Sequence, residues 1–464
     1  MINFLELFLK YVGYFFILYL FGYATFLVMS VTIGPITLYN NRRLHKYKNE
    51  LNHDFYVPIT IIVPAYNEEI TVVDTVNSLL NLDYRLYEIV VIDDGSKDNT
   101  AQVLIDTFNL HQVKKPINQQ IKCKREKAVF INSINNITIT LVRKENGGKA
   151  DALNMGINVS QFPYFICLDA DSVLQHDSLK NIVKPILEND DIIACGGLIS
   201  ISNDMVIENG HVKKYKLPKN LLVCMQILEY DRSFLASRIL LDQVNGNLII
   251  SGAFGLFKKD IAIIVGGYDT TTLGEDMELV VKLHVFCRSN DIKYIIKYVP
   301  DAVCWSQAPG SLIDLIKQRR RWYIGLFQTM WKYRALFLNY KYGMISFISF
   351  LYFLIYELFS PFIEVFGVLT IILSFAINLI NVPYMVFFFL IYAVYGAVLS
   401  LVAFFSRCHT QNYKLSIMDM VKAVILCLFE ITFLRFIMSF ARMLALFNYK
   451  KKREQWGTIK RTKN

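Results

Sequence analysis

The chain has 464 residues, 54% of them hydrophobic, and a mean hydropathy of +0.35. This composition argues against a purely soluble protein and predicts a membrane protein with a separate globular part. The net charge of +10 does not indicate nucleic-acid binding, because Lys and Arg concentrate beside apolar segments and between Lys114 and Lys127. The eight cysteines are scattered, without zinc-type spacing, which predicts reduced thiols and no structural metal.

The N-terminal region, residues 1–50, is predicted to be a membrane anchor. The stretch from Tyr11 to Tyr39 carries no charge, and a span at about 11–37 would cross a hydrocarbon core of about 30 Å. A cleaved signal peptide would need a basic leading segment and a small-residue cleavage site, and neither is present, so the anchor is predicted to be retained. Basic residues after the span predict a cytoplasmic stop and an external N-terminus. They are Arg42, Arg43, Lys46 and Lys48.

The C-terminal region, residues 344–447, is predicted to hold two to four further spans. The uncharged stretch from Val365 to Ser406 is too long for one crossing, so the chain should fold back near 378–383. Met344 to Ser360 and the charge-interrupted Met418 to Phe447 could each span or lie in the interface. A basic cytoplasmic tail is predicted at 448–464.

Residues 51–310 have a different character, because β-rich runs alternate with helix-patterned stretches. This alternation predicts a parallel α/β sheet whose carboxyl-terminal edge binds a ligand. The strands include "ITIIVPAY", "YEIVVID", "ITITLV" and "YFICLD", and the helices include "EEITVVDTVNSLLN" and "HDSLKNIVKPILE".

Each of these strands leads into polar or acidic residues. In "YFICLDADSVL", Asp169 and Asp171 directly follow a strand, and alone they would be read as a helix cap. The motifs "VPAYNEE", "VIDDGSKDNT" and "RKENGGKADALNMG" follow other strands, so a shared ligand is the better interpretation. Carboxylates together with Lys149 suit a nucleotide held with a divalent cation. A P-loop is not predicted, because Ala150 follows the lysine.

Seven motifs, "VPAYNEE", "DDGS", "GGKADALN", "DAD", "SGAFGLF", "GED" and "QRRRW", occur in this order between Pro58 and Tyr323. In this the chain resembles the membrane-embedded family 2 inverting glycosyltransferases, the group that includes cellulose, hyaluronan and poly-N-acetylglucosamine synthases. The resemblance implies a GT-A, Rossmann-like fold, with a mixed, mainly parallel sheet flanked by helices and embedded between transmembrane helices. It also implies a multi-pass protein of the plasma membrane whose catalytic domain is cytoplasmic.

The resemblance implies a role for each motif residue. The general base would be Asp276. Mg²⁺ or Mn²⁺ would be held by Asp171 and Asp169. The nucleotide of a UDP-sugar would contact Ala65, Tyr66, Glu68, Asp94, Lys149 and Asp169. The acceptor and the pyrophosphate would contact Gly252, Glu275, Gln318, Arg321 and Trp322.

Elementary chemistry agrees with these roles, because sugar transfer needs a neutralised leaving group and a proton acceptor. Glu275 and Glu278 are expected to raise the proton affinity of Asp276, although acids at a helix N-terminus are also common for dipole reasons. The segment 311–343, which contains QxxRW, is predicted to lie at the membrane interface. Its basic residues either serve the active site or snorkel toward the membrane surface. Phe254, Trp305, Trp322 and Tyr323 are expected to stack on sugars or simply to pack.

The sequence thus predicts a membrane glycosyltransferase that moves a sugar, N-acetylglucosamine by family proportions, from a UDP-sugar to a growing polysaccharide in a β-linkage. The alternatives are single transfer to a polyprenyl-phosphate or other lipid acceptor and a non-catalytic nucleotide-sugar-binding protein. Membrane lipids are expected partners, and the resemblance leaves room for accessory export proteins. The basic stretch 109–136 shows no periodicity and is expected to be a surface loop or partly disordered.

Overall fold

The computed structural model describes residues 2–48, 56–208, 210–379 and 382–447. The basic tail predicted at 448–464 lies outside the described residues, as do residues 51–55 at the start of the predicted globular part.

The described chain contains both strands and helices. The strands are β1 Ile59–Ala65, β2 Tyr87–Asp93, β3 His111–Val113, β4 Glu126–Ile134, β5 Ile137–Lys144, β6 Tyr164–Cys167, β7 Val173–Leu174, β8 Ile192–Ile201, β9 Val206–Glu208, β10 His211–Lys214, β11 Gly255–Lys258 and β12 Ile295–Ser306. The helices are α1 Ile2–Lys48, α2 Val72–Leu80, α3 Thr100–Phe108, α4 Lys149–Val159, α5 Ser178–Glu188, α6 Leu221–Arg232, α7 Arg238–Asp242, α8 Lys259–Ile264, α9 Glu275–Ser289, α10 Leu312–Lys332, α11 Ser360–Ala376, α12 Val382–Thr410, α13 Ile417–Phe429 and α14 Arg435–Phe447.

Ten strands form one sheet in the order β3-β4-β5-β2-β1-β6-β11-β8-β12-β7. Its centre, β5-β2-β1-β6, is parallel, as is the β8–β12 pair, while β11 runs antiparallel between β6 and β8. Helices cover both faces, so the predicted fold class, a mixed sheet flanked by helices, is confirmed. All four quoted strands and both quoted helices are present.

The central strands are apolar on both faces because both faces are covered. In β1, Ile61 and Val63 join a core with Val72 of α2, whereas Ile62 joins a second core with Leu153 of α4 and Val280 of α9. A strand buried on both sides reads as a continuous apolar run, which explains "ITIIV" and "EIVVI".

The stretch 109–136 is not a structureless loop, so that expectation is wrong. It contains β3 and β4, which extend the sheet through antiparallel pairing onto β5. The coil between them is anchored on α4: the amides of Gln120 and Ile121 donate to Asn158 Oδ1 at 3.0 and 2.9 Å. Only one residue of β4, Val129, is fully buried, so the segment lacks the apolar run that marks a central strand.

Three helical segments in the described chain are long and apolar enough to cross a membrane: Leu7–Asn40, Met385–Thr410 and Ile417–Phe447. A fourth span results if Ile345–Leu358 and Ser360–Ala376, which meet at 45°, count as one. Helix α11 ends at Ala376 and α12 begins at Val382, where the sequence predicts the chain to fold back. Two π-helical segments, Ile345–Phe350 and Phe353–Leu358, make up most of the stretch before the bend.

Candidate active site

The carboxyl-terminal ends of the parallel strands meet at one edge of the sheet. Ala65 at the end of β1 pairs with Asp93 at the end of β2, and the amide of Leu168, just after β6, donates to Ile62 O at 3.0 Å. Asp94 and Asp169 follow directly and therefore reach the same edge. They line one cavity of about 1410 Å³.

The cavity brings together all but one of the site residues that the resemblance implies. Ala65 is the exception: it is buried, does not line the cavity, and its carbonyl accepts the Asp94 amide at 2.9 Å. The residues that do line it are Tyr66, Glu68, Asp94, Lys149, Asp169, Asp171, Gly252, Glu275, Asp276, Gln318, Arg321 and Trp322.

Asp94 is held in a buried network that fixes the glycine loop before α4. Its carboxylate accepts the Lys144 ammonium at 2.5 Å and the Gly148 amide at 2.7 Å. Gly148 has φ +90°, a backbone conformation that favours glycine. Lys144 is fully buried and also pairs with Asp151 of α4 at 2.5 Å. Burial raises the pKa of Asp94, and Lys144 opposes this effect. Asp94 therefore positions the loop as well as facing the cavity.

The loop after β1 is tied to the loop after β2. The amide of Glu68 donates to Thr100 Oγ1 at 2.8 Å, and its carboxylate accepts Thr71 Oγ1 at 2.8 Å. The Asn67 side chain accepts the amide of Lys97 at 2.8 Å. Tyr66, which is partly exposed, is thus presented to the cavity by a well-anchored turn.

Lys149, the first residue of α4, links two motifs that are distant in sequence. Its ammonium lies 2.5 Å from Asp169 Oδ1 and 3.8 Å from Glu275 Oε1. Burial acts to lower the pKa of Lys149, but Asp169 and Glu275 outweigh it and hold the pKa above its usual range. Burial raises the pKa of Glu275, and Lys149 opposes this. The lysine is therefore a charged group at the junction of the DAD and GED motifs.

Asp276 lies beside this junction at the N-terminus of α9. Its Oδ2 accepts the amide of Gly252 at 3.2 Å, and a Cβ built on Gly252 would lie 3.3 Å from Lys149 Nζ and 3.7 Å from Asp276 Oδ2. The backbone of the "SGAF" turn thus lies between Lys149 and Asp276, the candidate base. A side chain at Gly252 would fill the space between them.

Glu278 does not act as the negative neighbour that the sequence predicts for Asp276. Its carboxylate is buried and accepts Lys332 at 2.6 Å and the Tyr333 hydroxyl at 2.7 Å. Two residues along a helix point to nearly opposite sides. Glu278 therefore fastens the end of α10 to α9, while Asp276 faces the cavity.

Helix α10, which carries QRRRW, reaches the cavity through a close backbone contact. A Cβ on Gly325 would lie 2.6 Å from the nitrogen of Gly274, the residue before α9. Trp322, one turn before Gly325, is 40% exposed. Gln318, one turn before Trp322, has a buried Oε1 without a hydrogen-bond partner in the described chain. Arg319 between them donates to Glu229 of α6 at 2.7 Å and lies 4.7 Å from the Trp322 ring centroid.

The four aromatic residues singled out from the sequence divide into two groups. Phe254, Trp305 and Tyr323 are buried in the protein cores, with at most 3% exposure, and so they pack. Trp322 remains available to a ligand.

The opposite end of the cavity reaches the candidate membrane helices. It is lined there by Tyr23 of α1, Glu364 of α11 and Arg435 of α14. Arg435 donates to Glu364 at 2.7 Å and to the Tyr23 hydroxyl at 3.2 Å. Ionisable groups in apolar helices are costly unless they pair or face a polar cavity, and these do both.

The carboxylates of the DAD motif suit a divalent cation only together with a ligand. No group of three or more His, Cys, Asp or Glu side chains in the described ranges is arranged to hold a metal. Asp169 and Asp171 supply carboxylate oxygens, the donors that Mg²⁺ and Mn²⁺ prefer, and Mg²⁺ usually binds one or two carboxylates plus substrate phosphates. The donor set fits a metal shared with a diphosphate.

Sequence reasoning missed three contributors to this site. They are Lys144 between Asp94 and Asp151, the Gly274–Gly325 contact, and Arg238, which lines the cavity. Lys144 had a signal in the sequence, because it ends an apolar strand just before the glycine loop. The other two are visible only in three dimensions.

Comparison with known families decides the classification. The model of glycosyl transferase family group 2 matches residues 164–448, and that of glycosyl transferase family 2 matches residues 60–129. The first match covers more than half of the chain. The chain belongs to glycosyl transferase family group 2.

The similar curated proteins of this family include poly-beta-1,6-N-acetyl-D-glucosamine synthases. The protein from Staphylococcus aureus strain COL is 32% identical over 307 residues, which are 66% of this chain and 64% of the relative. The one from Staphylococcus epidermidis is 33% identical over 267 residues, 57% of this chain and 53% of the relative. The matches thus span just under two thirds, and about half, of these relatives.

Among solved structures, a mannosyltransferase from Pyrobaculum calidifontis, in complex with GDP-Man and Mn²⁺, has a similar fold. The TM-score is 0.51 at 17% identity, and the alignment covers 88% of this chain and 98% of that one. At this identity the likeness concerns the fold.

Proposed function

We propose that this chain transfers N-acetylglucosamine from its UDP-activated form to a growing polysaccharide, with inversion to a β-linkage. The observation that carries the proposal is the single cavity that joins the nucleotide edge of the sheet, Asp276 and the candidate membrane helices. The similarity to the staphylococcal synthases supports the choice of sugar and product.

The donor end of the cavity suits a nucleoside diphosphate. Tyr66 and Glu68 would line the base and ribose pocket, and Lys149 with Arg321 would offset the charge of the diphosphate. Asp169 and Asp171 would hold Mg²⁺ or Mn²⁺ together with the diphosphate, and the fold relative with GDP-Man and Mn²⁺ is consistent with this. When bound, the cation supplies charge neutralisation for the departing nucleoside diphosphate.

Asp276 is the group we assign as general base. Its carboxylate is fixed by the amides of Gly252 at 3.2 Å and Met277 at 2.8 Å, which leaves further lone pairs for an acceptor hydroxyl. The base would take the hydroxyl proton as the oxygen attacks the anomeric carbon from the face opposite the leaving group. Inversion follows from one such displacement.

Helix α10 would hold the acceptor. The exposed ring of Trp322 offers a face on which a terminal sugar can stack, and the Gly274–Gly325 contact fixes the ring relative to Asp276. Beyond it, the polar lining from Tyr23, Glu364 and Arg435 would give a hydrated path for a product that remains bound. A catalytic domain that faces the cytoplasm would meet UDP-sugars where they are made.

The proposal is tested by incubating purified full-length protein in lipid with a panel of UDP-sugars. We expect UDP release with UDP-N-acetylglucosamine and a product that a β-1,6-N-acetylglucosaminidase degrades. Asp276→Asn protein is the matched control for release by contaminants. A product consisting of one sugar on a lipid phosphate would replace the proposal with the lipid-acceptor alternative, and donor binding without turnover would favour a non-catalytic protein.

A further inference from the structure

Arg238 is a cationic side chain on the cavity wall that the proposed reaction does not use. It is the first residue of α7, and its guanidinium carbon lies 3.9 Å from the ring centroid of Phe234. Its Nη1 atom is buried and has no hydrogen-bond partner in the described part of the chain. The side chain lines the same cavity as Asp276 and Trp322.

Three other arginines that line this cavity are paired with carboxylates. Arg232 lies 2.8 Å from Glu430, Arg319 lies 2.7 Å from Glu229, and Arg435 lies 2.7 Å from Glu364. Arg238 forms no ion pair with any described carboxylate. Burial lowers the pKa of Arg238, and Tyr298 and Asp276 oppose this only in part, which expresses the cost of desolvating the charge. A ligand with oxygen acceptors would offset that cost.

The surroundings of Arg238 suit a saccharide better than a phosphate. The ring centroids of Tyr230 and Trp322 are 6.5 Å apart, and those of Tyr230 and Phe234 are 5.7 Å apart. These three rings form a row from the QxxRW tryptophan to the guanidinium. Aromatic faces pack against sugar rings, while Lys149 and Arg321, which line the same cavity, are already assigned to the donor diphosphate.

A second orphaned group lies next to this row. Tyr298, whose ring centroid is 6.5 Å from that of Phe234, has a buried hydroxyl without a partner in the described ranges. Buried polar atoms are generally hydrogen-bonded, so two unsatisfied polar groups this close to one row of rings are unusual. Tyr298 does not line the cavity, so of these two groups Arg238 is the one that a ligand in the cavity can reach.

We propose that Arg238 forms an acceptor subsite with Tyr230 and Phe234, in which its guanidinium donates hydrogen bonds to the N-acetyl carbonyl and hydroxyl oxygens of an acceptor saccharide that extends past Trp322. The inference rests on the proposed function and deepens it by adding a residue that recognises the N-acetyl group of the acceptor. Because the guanidinium is a cation, the subsite disfavours an acceptor whose sugar carries a free ammonium group in place of the N-acetyl group.

The test compares the wild-type protein with Arg238→Met, Arg238→Lys and the control Arg288→Met. Arg288 stands over the Tyr294 ring at 5.8 Å but does not line the cavity. Initial rates are measured with UDP-N-acetylglucosamine against short β-1,6-linked N-acetylglucosamine acceptors and their deacetylated forms, and UDP affinity is measured by calorimetry. Methionine keeps the apolar stem over Phe234 and removes the charge.

We expect Arg238→Met to raise the KM for the acetylated acceptor about tenfold or more, with UDP affinity unchanged, because hydrogen bonds to a charged group are lost. Its preference for the acetylated over the deacetylated acceptor should narrow. Arg238→Lys should keep that preference, since the charge remains, and Arg288→Met should behave as wild type. If the Arg238→Met protein does not bind UDP, the Arg238→Lys protein serves as the test instead. Loss of its preference for the acetylated over the deacetylated acceptor would then overturn the inference.

The inference is overturned if Arg238→Met binds UDP and shows an unchanged acceptor KM and an unchanged preference. That result leaves the proposed function intact, because wild-type transfer to the saccharide is measured in the same series. A wild-type protein that transfers to no saccharide acceptor would overturn both.

Discussion

Gly274 and Gly325 meet backbone to backbone, and the Cα atom of Gly274 would lie 2.7 Å from a Cβ on Gly325. Gly274 directly precedes α9, which begins with Glu275 and Asp276, and Gly325 lies one turn after Trp322 on α10. The contact sets the distance between the candidate base and the helix that we assign to the acceptor.

Gly325→Ala should therefore abolish transfer while leaving the donor residues outside α10 in place. A methyl group at 2.6 Å from a backbone nitrogen forces α10 away from α9, whereas Tyr66, Asp94 and Lys149 lie on other elements. Turnover and UDP affinity would be measured on the same preparations. Gly13→Ala is the matched control, since nothing lies within 4 Å of its Cβ. Unchanged turnover by Gly325→Ala would refute this role for the contact.

Asp276→Asn should lose transfer by about a hundredfold or more, the usual contribution of a general base, with UDP affinity retained. The amide keeps the shape of the side chain and loses the proton acceptor. Asp260→Asn, an exposed acid at the start of α8, is the control. Near-normal transfer by Asp276→Asn would show that another group takes the proton.

Asp171→Ala should remove the dependence of UDP binding on Mg²⁺ or Mn²⁺. In the described chain the metal donors at this edge are too few for a protein-only site, so metal and diphosphate should bind together. Calorimetric titration of UDP with the metal and with a chelator measures the dependence without catalysis. Asp190→Ala, at an exposed position after α5, should keep it. Equal metal dependence in both variants would favour the helix-cap interpretation of the DAD motif.

Lys144→Met should destabilise the domain by about 3–5 kcal/mol, because it leaves the carboxylates of Asp94 and Asp151 buried without their counter-charge. Lys180→Met removes an ion pair of the same length, 2.5 Å to Asp83, but that pair is exposed and should change stability by no more than about 1 kcal/mol. Thermal unfolding of the detergent-solubilised variants gives the comparison. Equal effects would mean that Lys144 is not the charge that holds the glycine loop.

The central strands and the convergence of the acids could be predicted from the sequence for a physical reason. Strands buried on both faces are continuous apolar runs, and parallel order sends their carboxyl ends to one edge, so Asp94 and Asp169 had to approach each other. The same rule does not find β4, because that strand has mixed exposure and pairs antiparallel at the sheet margin.

The residues that were missed depend on contacts between distant parts of the chain. Lys144 had a local signal, as the end of an apolar strand before the glycine loop, but only the topology puts it between two acids. Glu278 was assigned to the wrong neighbour for the same reason: its partners, Lys332 and Tyr333, come from the end of α10. Charge pairs across elements are not encoded in local spacing.

The most direct test of the account is the size of the product made from labelled UDP-N-acetylglucosamine by wild-type and Trp322→Ala proteins in lipid. If α10 holds a growing chain beside Asp276, the wild-type protein makes long polymer, and Trp322→Ala makes short products or none, with UDP affinity unchanged. A wild-type product of a single sugar on a lipid phosphate, or polymer of equal length from both proteins, would contradict it.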